Sequence, residues 1–142
     1  MSYSKERISN ALRAVKSKNT APEICLRKAL RAKGLCGYRL FWNKVIGKPD
    51  IAFPSKKIAI FVNGCFWHRC PYCKQKIPQS NVEFWYEKFE RNKFRDQKIQ
   101  KELAELGWNV IVIWECQIKR DVERCADIIK EAYEKALRLK NK

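Results

Sequence analysis

Two apolar runs, IAIFV at 58–62 and WNVIVIW at 108–114, are separated by one long amphipathic stretch. β-Branched runs of this length read as buried strands, and the second, apolar along nearly its whole length, as a central one. A strand, a helix and a strand make a β-α-β unit, whose strands lie parallel and close in one sheet. Their C-terminal ends then meet at the same sheet edge. Cys65 stands three residues past the first run and Cys116 two past the second. The crossover therefore brings two distant cysteines together.

The remaining segments fit a single α/β domain over residues 1–142. Ile8, Ala11, Leu12 and Val15 follow helical spacing within 5–16. In "TAPE", Thr20 is placed to cap a second helix, with Pro22 in its first turn and Glu23 three residues past the cap. That helix is expected to run to about Lys33 and stop at Gly34. YRLFW (38–42) is strand-like, and IAF, PSKK and IAIFV (51–62) read as strand, turn and strand. Ser80 and Glu83 offer a capping box before the long helix, which Gly107 ends. A last amphipathic helix carries Val122, Ala126, Ile129 and Tyr133 on one face.

Charge points to the partner. Thirty-one Lys and Arg against fifteen Asp and Glu leave +16, spread along the whole chain. Such a field suits a polyanion, nucleic acid first. No segment has the roughly 18 apolar residues of a membrane helix, and the charged N-terminus lacks a signal-peptide core. Seven cysteines, three of them clustered, then read as reduced thiols around a metal in a cytoplasmic protein, not as disulfides.

The cluster is "NGCFWHRCPYC", 63–73. Structural zinc takes four Cys or His ligands, and Cys70 and Cys73 have the C-x2-C spacing. Cys65 supplies a third thiol. The fourth ligand is Cys116, through the crossover, or His68, locally; the crossover favours Cys116. His68, the single histidine, is then released to act as a base at physiological pH. Asp50 in "GKPD" can project from a sheet edge toward a hard cation, which needs one or two carboxylates. Taken singly, Asp50 is an ordinary turn residue, Glu23 a capping residue, and Asp96 a solvated helix position.

In order and spacing, "GKPDIAF", "NGCFWHRCPYC", "EFWYEKFERNKFRD" and "LGWNVIVIWEC" resemble the very short patch repair (Vsr) DNA mismatch endonucleases. "KSKNTAPE" resembles the N-terminal segment of that family, and the similarity spans about Lys16 to Cys116. The resemblance implies a restriction-endonuclease-like core, a mixed sheet flanked by helices with a structural zinc site. It implies Asp50 as the carboxylate ligating catalytic Mg2+, with the main-chain carbonyl of Val62 as a second ligand. His68 matches the residue that activates the attacking water, Asp96 the one that orients it, and Glu23 an acid holding waters of the metal cluster. Cys65, Cys70, Cys73 and Cys116 fall on or beside the zinc positions. Phe66, Trp67 and Trp85 match an aromatic wedge that opens DNA beside a T:G mismatch. Residues 1–18, with Leu12, Val15 and Lys16, match a DNA-contacting helix region. Asn63 stands where the family often has histidine, and Cys70 replaces a histidine ligand. The implied activity is Mg2+-dependent nicking of one strand beside a T:G pair left by 5-methylcytosine deamination. Mismatch-repair proteins are candidate partners of a nucleoid-associated monomer.

Overall fold

The computed structural model describes residues 20–73 and 79–140, with the side chains of Phe66, Trp67 and Lys140 outside that description. The helix expected over 5–16, with Leu12, Val15 and Lys16, lies outside the described residues.

Helix α1 spans Ala21–Ala32, and the Thr20 hydroxyl accepts the Glu23 amide at 3.5 Å, capping it as the pattern predicts. Strand β1 is only Arg39–Leu40, both exposed. Strand β2, Ile51–Phe53, turns through a single 3-10 turn (Pro54–Lys56) into β3, Ile58–Asn63. The two pair antiparallel, Ile51 with Ile60 and Phe53 with Ile58, so the expected hairpin forms. A four-residue helix α2, Cys65–His68, follows directly. Helix α3 runs Val82–Glu105, strand β4 Asn109–Trp114, and helix α4 Glu115–Lys140.

The sheet order is β1-β2-β3-β4, with β3 and β4 parallel from Ile58↔Asn109 to Asn63↔Trp114. Mixed pairing and flanking helices make an α/β fold. Among the described residues β4 is an edge strand, not the central strand its composition suggests, and of its six residues only Ile113 is buried. Its apolar run reflects helices against it, not strands on either side.

Alternation divides the sheet. Ile51, Phe53, Ile58, Ile60 and Ile113 join Leu26 and Leu30 of α1 and Ala126 and Ile129 of α4 in one core cluster. Val122 and Tyr133 pack at its margin, so the helical face read from the sequence is the buried one. α4 bends at Asp121 (φ −160°, ψ 83°), whose carboxylate accepts the Arg124 amide at 3.1 Å and recaps the second half. Lys33 ties α1 to α4 through Asp127 at 2.8 Å and Glu123 at 3.1 Å.

Helix α3 begins differently from the expected capping box. Asn81, in the left-handed region at φ 58°, occupies the cap position without a side-chain cap bond, and Ser80 lies outside it. An αL residue turns the incoming chain more sharply than a capping serine, which needs extended backbone. The far end follows the pattern: Gly107 (φ +87°) lets the Trp108 amide return to the Leu103 carbonyl at 3.0 Å.

On the opposite face α3 meets the loop before Asp50. Gly47 sits at φ +86°, and a Cβ there would lie 2.4 Å from Ile99 Cγ2. Gly47→Ala should cost about 2 kcal/mol or more in urea unfolding, from backbone strain and overpacking together. Gly34→Ala has the same φ sign but open space around its Cβ. It should lose less, and equal losses would remove the close approach as the cause.

Candidate active site and thiol cluster

The parallel ladder ends at Asn63 and Trp114, and each strand delivers a cysteine two residues later. Cys65 opens helix α2, while Cys116 lies in the first turn of α4. The Cys116 amide donates to Cys65 Sγ at 3.3 Å. After His68, Arg69 adopts φ 53° and turns the chain, so that the Cys70 amide returns to the Cys65 carbonyl at 3.0 Å. Cys70 Sγ comes within 3.6 Å of Cys116 Sγ, and the Tyr72 amide donates to Cys70 Sγ at 3.3 Å.

The sulfurs of Cys65, Cys70, Cys73 and Cys116 all lie within 4.8 Å of one another. Zn–S bonds of about 2.3 Å in a tetrahedron separate sulfurs by about 3.8 Å, so the donor set fits zinc. Without a cation, burial pushes the Cys65 thiol far up, and burial likewise raises Cys116. Four thiolates gather only around a positive centre, which reverses that cost. Two peptide N–H groups already point at the sulfurs, the outer bonds that orient metal-bound thiolates.

His68 stands apart from this set. Its Nδ1 is hydrogen-bonded to Asp96 Oδ2 of α3, both side chains being about one-fifth exposed. The other ring nitrogen, Nε2, is turned away from Asp96. A histidine on a turn held at both ends by Cys65 and Cys70, and oriented by a carboxylate, has the arrangement of a positioned base.

Asp50 is the residue before β2, and its Oδ2 accepts the Val62 amide at 2.7 Å, which sets it against the Val62 peptide. Burial pushes its carboxyl up to about 6, against the pull of the Val62 N–H; the Glu23 charge raises it further, and His68 and Arg27 lower it. Glu23, Arg27 and His68 thus surround Asp50 electrostatically. Glu23 is 4% exposed, and its Oε2 meets Arg27 Nη2 at 3.3 Å. Asn63 is buried nearby at the end of β3. Two carboxylates with a main-chain carbonyl and waters suffice for Mg2+, which keeps much of its hydration shell.

One sequence expectation changes here. Trp85 is 6% exposed, stacked on Phe89 (5.9 Å) and edge-on to Phe84 (5.1 Å), so it packs α3 and is not on a DNA-accessible surface. Phe66 and Trp67 lie outside the described side chains, although helix α2 carries their backbone. Arg27 was missed. Its signal was the i, i+4 spacing from Glu23 on the otherwise apolar face of α1.

A buried glutamate and a half-buried aspartate beside an aspartate-oriented histidine, on a basic α/β chain, are the kind of groups a hydrolase acting on nucleic acid uses. Residues 2–75 match the family model described as DNA mismatch endonuclease Vsr. The type II nicking enzyme V.XorIIP of Xanthomonas oryzae is 40% identical over 115 residues, covering 81% of this chain and 84% of that protein. V.NmeAIP of Neisseria meningitidis is 40% identical over 120 residues, 82% of this chain and 85% of that protein. The DNA mismatch endonuclease Vsr of Escherichia coli is 36% identical over 111 residues, 78% and 70%. This chain belongs to the Vsr family and is a DNA endonuclease.

Two predictions follow the geometry. Cys116→Ser should lose zinc and lower the thermal midpoint, whereas His68→Ala should keep one zinc per chain. Zinc analysis showing the reverse would make His68 a ligand. Asp50 binds its proton more tightly folded than unfolded, so its contribution is present at low pH and is lost as pH rises from 3.8 through about 6. In the Mg2+-free protein at pH 7, Asp50→Asn should therefore stabilise by roughly 2 kcal/mol in chemical unfolding. A destabilised variant would mean that the buried carboxylate is already compensated.

Proposed function

We propose that the chain nicks one strand of duplex DNA beside a T:G mismatch, using Mg2+, with His68 as general base. The observation that carries this reading is the His68–Asp96 bond on a turn pinned by the thiol cluster. It fixes the imidazole while leaving Nε2 to take a proton from water. Asp50, Glu23 and the Val62 carbonyl would hold the Mg2+, through its waters in the case of Glu23. The ion would supply charge neutralisation at the phosphate and at the leaving oxygen. Asp96 holds the ring orientation and stabilises the imidazolium once His68 is protonated. Cys65, Cys70, Cys73 and Cys116 hold zinc, which braces the loop and takes no part in the reaction.

Phosphate contacts follow from the +16 charge and carry no sequence information, so mismatch selection needs another source. Phe66 and Trp67, between a zinc ligand and the base, are the apolar wedge in this reading. Driving such side chains between base steps costs a few kcal/mol per step, least where pairing is already poor. Residues 1–18, with Leu12, Val15 and Lys16, contribute further DNA contacts. The core is of the restriction-endonuclease-like type, and the enzyme works as a monomer in the cytoplasm. Among the described residues no helix is long and apolar enough to cross a membrane.

Nicking measured on T:G, other mismatched, and matched duplexes, with and without Mg2+, tests the proposal. The parent protein should prefer T:G and need the metal. His68→Ala should lose on the order of 10²–10⁴-fold in rate. Replacing Phe66 and Trp67 together by alanine should shrink the preference for T:G over T:A while zinc content and salt dependence stay unchanged. Equal nicking of matched duplex would assign the site a different DNA target, and near-normal turnover by His68→Ala would remove the base.

A further inference from the structure

Helix α1 buries a charge on the face it turns to the core. Arg27 is 8% exposed, beside the 4% exposed Glu23, and a guanidinium removed from water is costly unless it is held by partners. Two of its partners bear on the site. One is Glu23 Oε2, at 3.3 Å from Nη2. The other is the face of the Phe41 ring, whose centroid lies 5.3 Å from the Arg27 Cζ.

Phe41 is itself held in a costly backbone state. Its φ is +49°, a region that a bulky residue seldom adopts. Its amide donates to the Asp50 carbonyl at 3.1 Å, and the next amide, of Trp42, donates to the Pro49 carbonyl at 3.3 Å. The segment that presents the ring to Arg27 is thus laced to the segment that presents Asp50. A continuous path runs from Asp50 through the Phe41 backbone and ring to Arg27, and from Arg27 to Glu23. The two carboxylates come from elements far apart in sequence and repel each other, so something must hold them in one site.

We propose that Arg27, clamped by the Phe41 ring, is a positioning residue that fixes the Glu23 carboxylate in register with Asp50 for metal-dependent hydrolysis. The inference rests on the reading of Asp50 and Glu23 as the Mg2+-side residues. A planar fork suits this task, because it meets a carboxylate on its edge and an aromatic ring on its face at once. A lysine supplies the charge without the plane.

The sign of one measurement separates positioning from simple charge. Deleting a cation beside two carboxylates should strengthen binding of a divalent ion, if charge is all that Arg27 contributes. If Arg27 positions Glu23, deleting it should weaken that binding. The variants are Arg27→Met, Arg27→Lys and Phe41→Leu in the full chain, each checked for zinc content and thermal midpoint. Mn2+ binding without DNA is followed by electron paramagnetic resonance, and single-turnover nicking is measured against both Mg2+ and duplex concentration.

Arg27→Met should bind Mn2+ more weakly and nick roughly 10–100-fold more slowly, the usual loss for an outer partner of a metal site. Its KM for duplex should stay unchanged. Arg27→Lys and Phe41→Leu should fall between it and the parent, and they carry the test if Arg27→Met does not fold. Mn2+ binding by Arg27→Met that is equal to or tighter than the parent's would overturn the proposal. So would full activity of both Arg27→Lys and Phe41→Leu, which would reduce Arg27 to a point charge. A parent protein that binds Mn2+ but nicks no duplex would overturn the nuclease reading, while the binding arm would still decide the role of Arg27.

Discussion

The parallel pairing of β3 with β4 is the constraint from which the site is built. Six registered pairs end level, at Asn63 opposite Trp114. Equal two-residue steps beyond that line place Cys65 and Cys116 together, with the Cys116 amide on the Cys65 sulfur. Helix α2 has only four residues, too few to be stable alone, since its first hydrogen-bonded turn is the costly one. It forms because its start is tied to the sheet edge and its end returns through Cys70 to the same sulfurs. His68 inherits its position from the ends of the two strands.

Against this rigid edge stands a group of charges that stability alone would not select. Asp50, Glu23 and Arg27 sit at or inside the margin of an apolar core, and Asp50 holds its proton up to about pH 6 because burial disfavours its anion. The chain as a whole carries +16, yet Asp50 has the Glu23 carboxylate near enough to raise its proton affinity. The two signs have separate uses. A broad positive field suits a polyanion, and two carboxylates are the donors a divalent cation takes in the proposed reaction. Replacing such buried charges with apolar groups is often neutral or stabilising in proteins, so stability alone does not account for them here.

How much of this was legible in the sequence depends on whether the signal was local. Thr20 capping α1, the 51–62 hairpin, the Gly107 stop and the buried face of α4 all rest on neighbours within a few residues, and they were readable. The gathering of four cysteines was readable too, because one crossover rule links two distant strands. Strand order was not: nothing in WNVIVIW distinguishes an interior strand from an edge strand covered by helices. Asn81 displaced Ser80 from the cap because the direction of the incoming chain, not the side-chain pattern, set the αL turn. Trp85 had the same composition signal as an exposed aromatic, and only its place on the face α3 turns inward puts it against Phe89. Arg27 was hidden for a related reason. An arginine in a basic chain carries no mark of burial until the helix face is known.

The crossover helix has a second consequence. α3 exists to carry the chain from β3 back to β4, and any helix of that length would satisfy the parallel sheet. This one also bears Asp96, which reaches His68, and Ile99, which closes on Gly47 three residues before Asp50. The orienting partner of the histidine and the packing behind the carboxylate loop are therefore three residues apart on a single rigid element. A shift of α3 along its axis would move both together, so the spacing between His68 and Asp50 is held by one body and not by two independent loops. The four-cysteine cluster fixes the third point, at the end of the strands that α3 connects. Three attachments on elements joined by one β-α-β unit suffice to locate His68 against Asp50. On the proposed assignment of His68 as base and Asp50 as a metal-side residue, that rigidity matters, because a displacement of about 1 Å in a reacting geometry costs on the order of 10²-fold in rate.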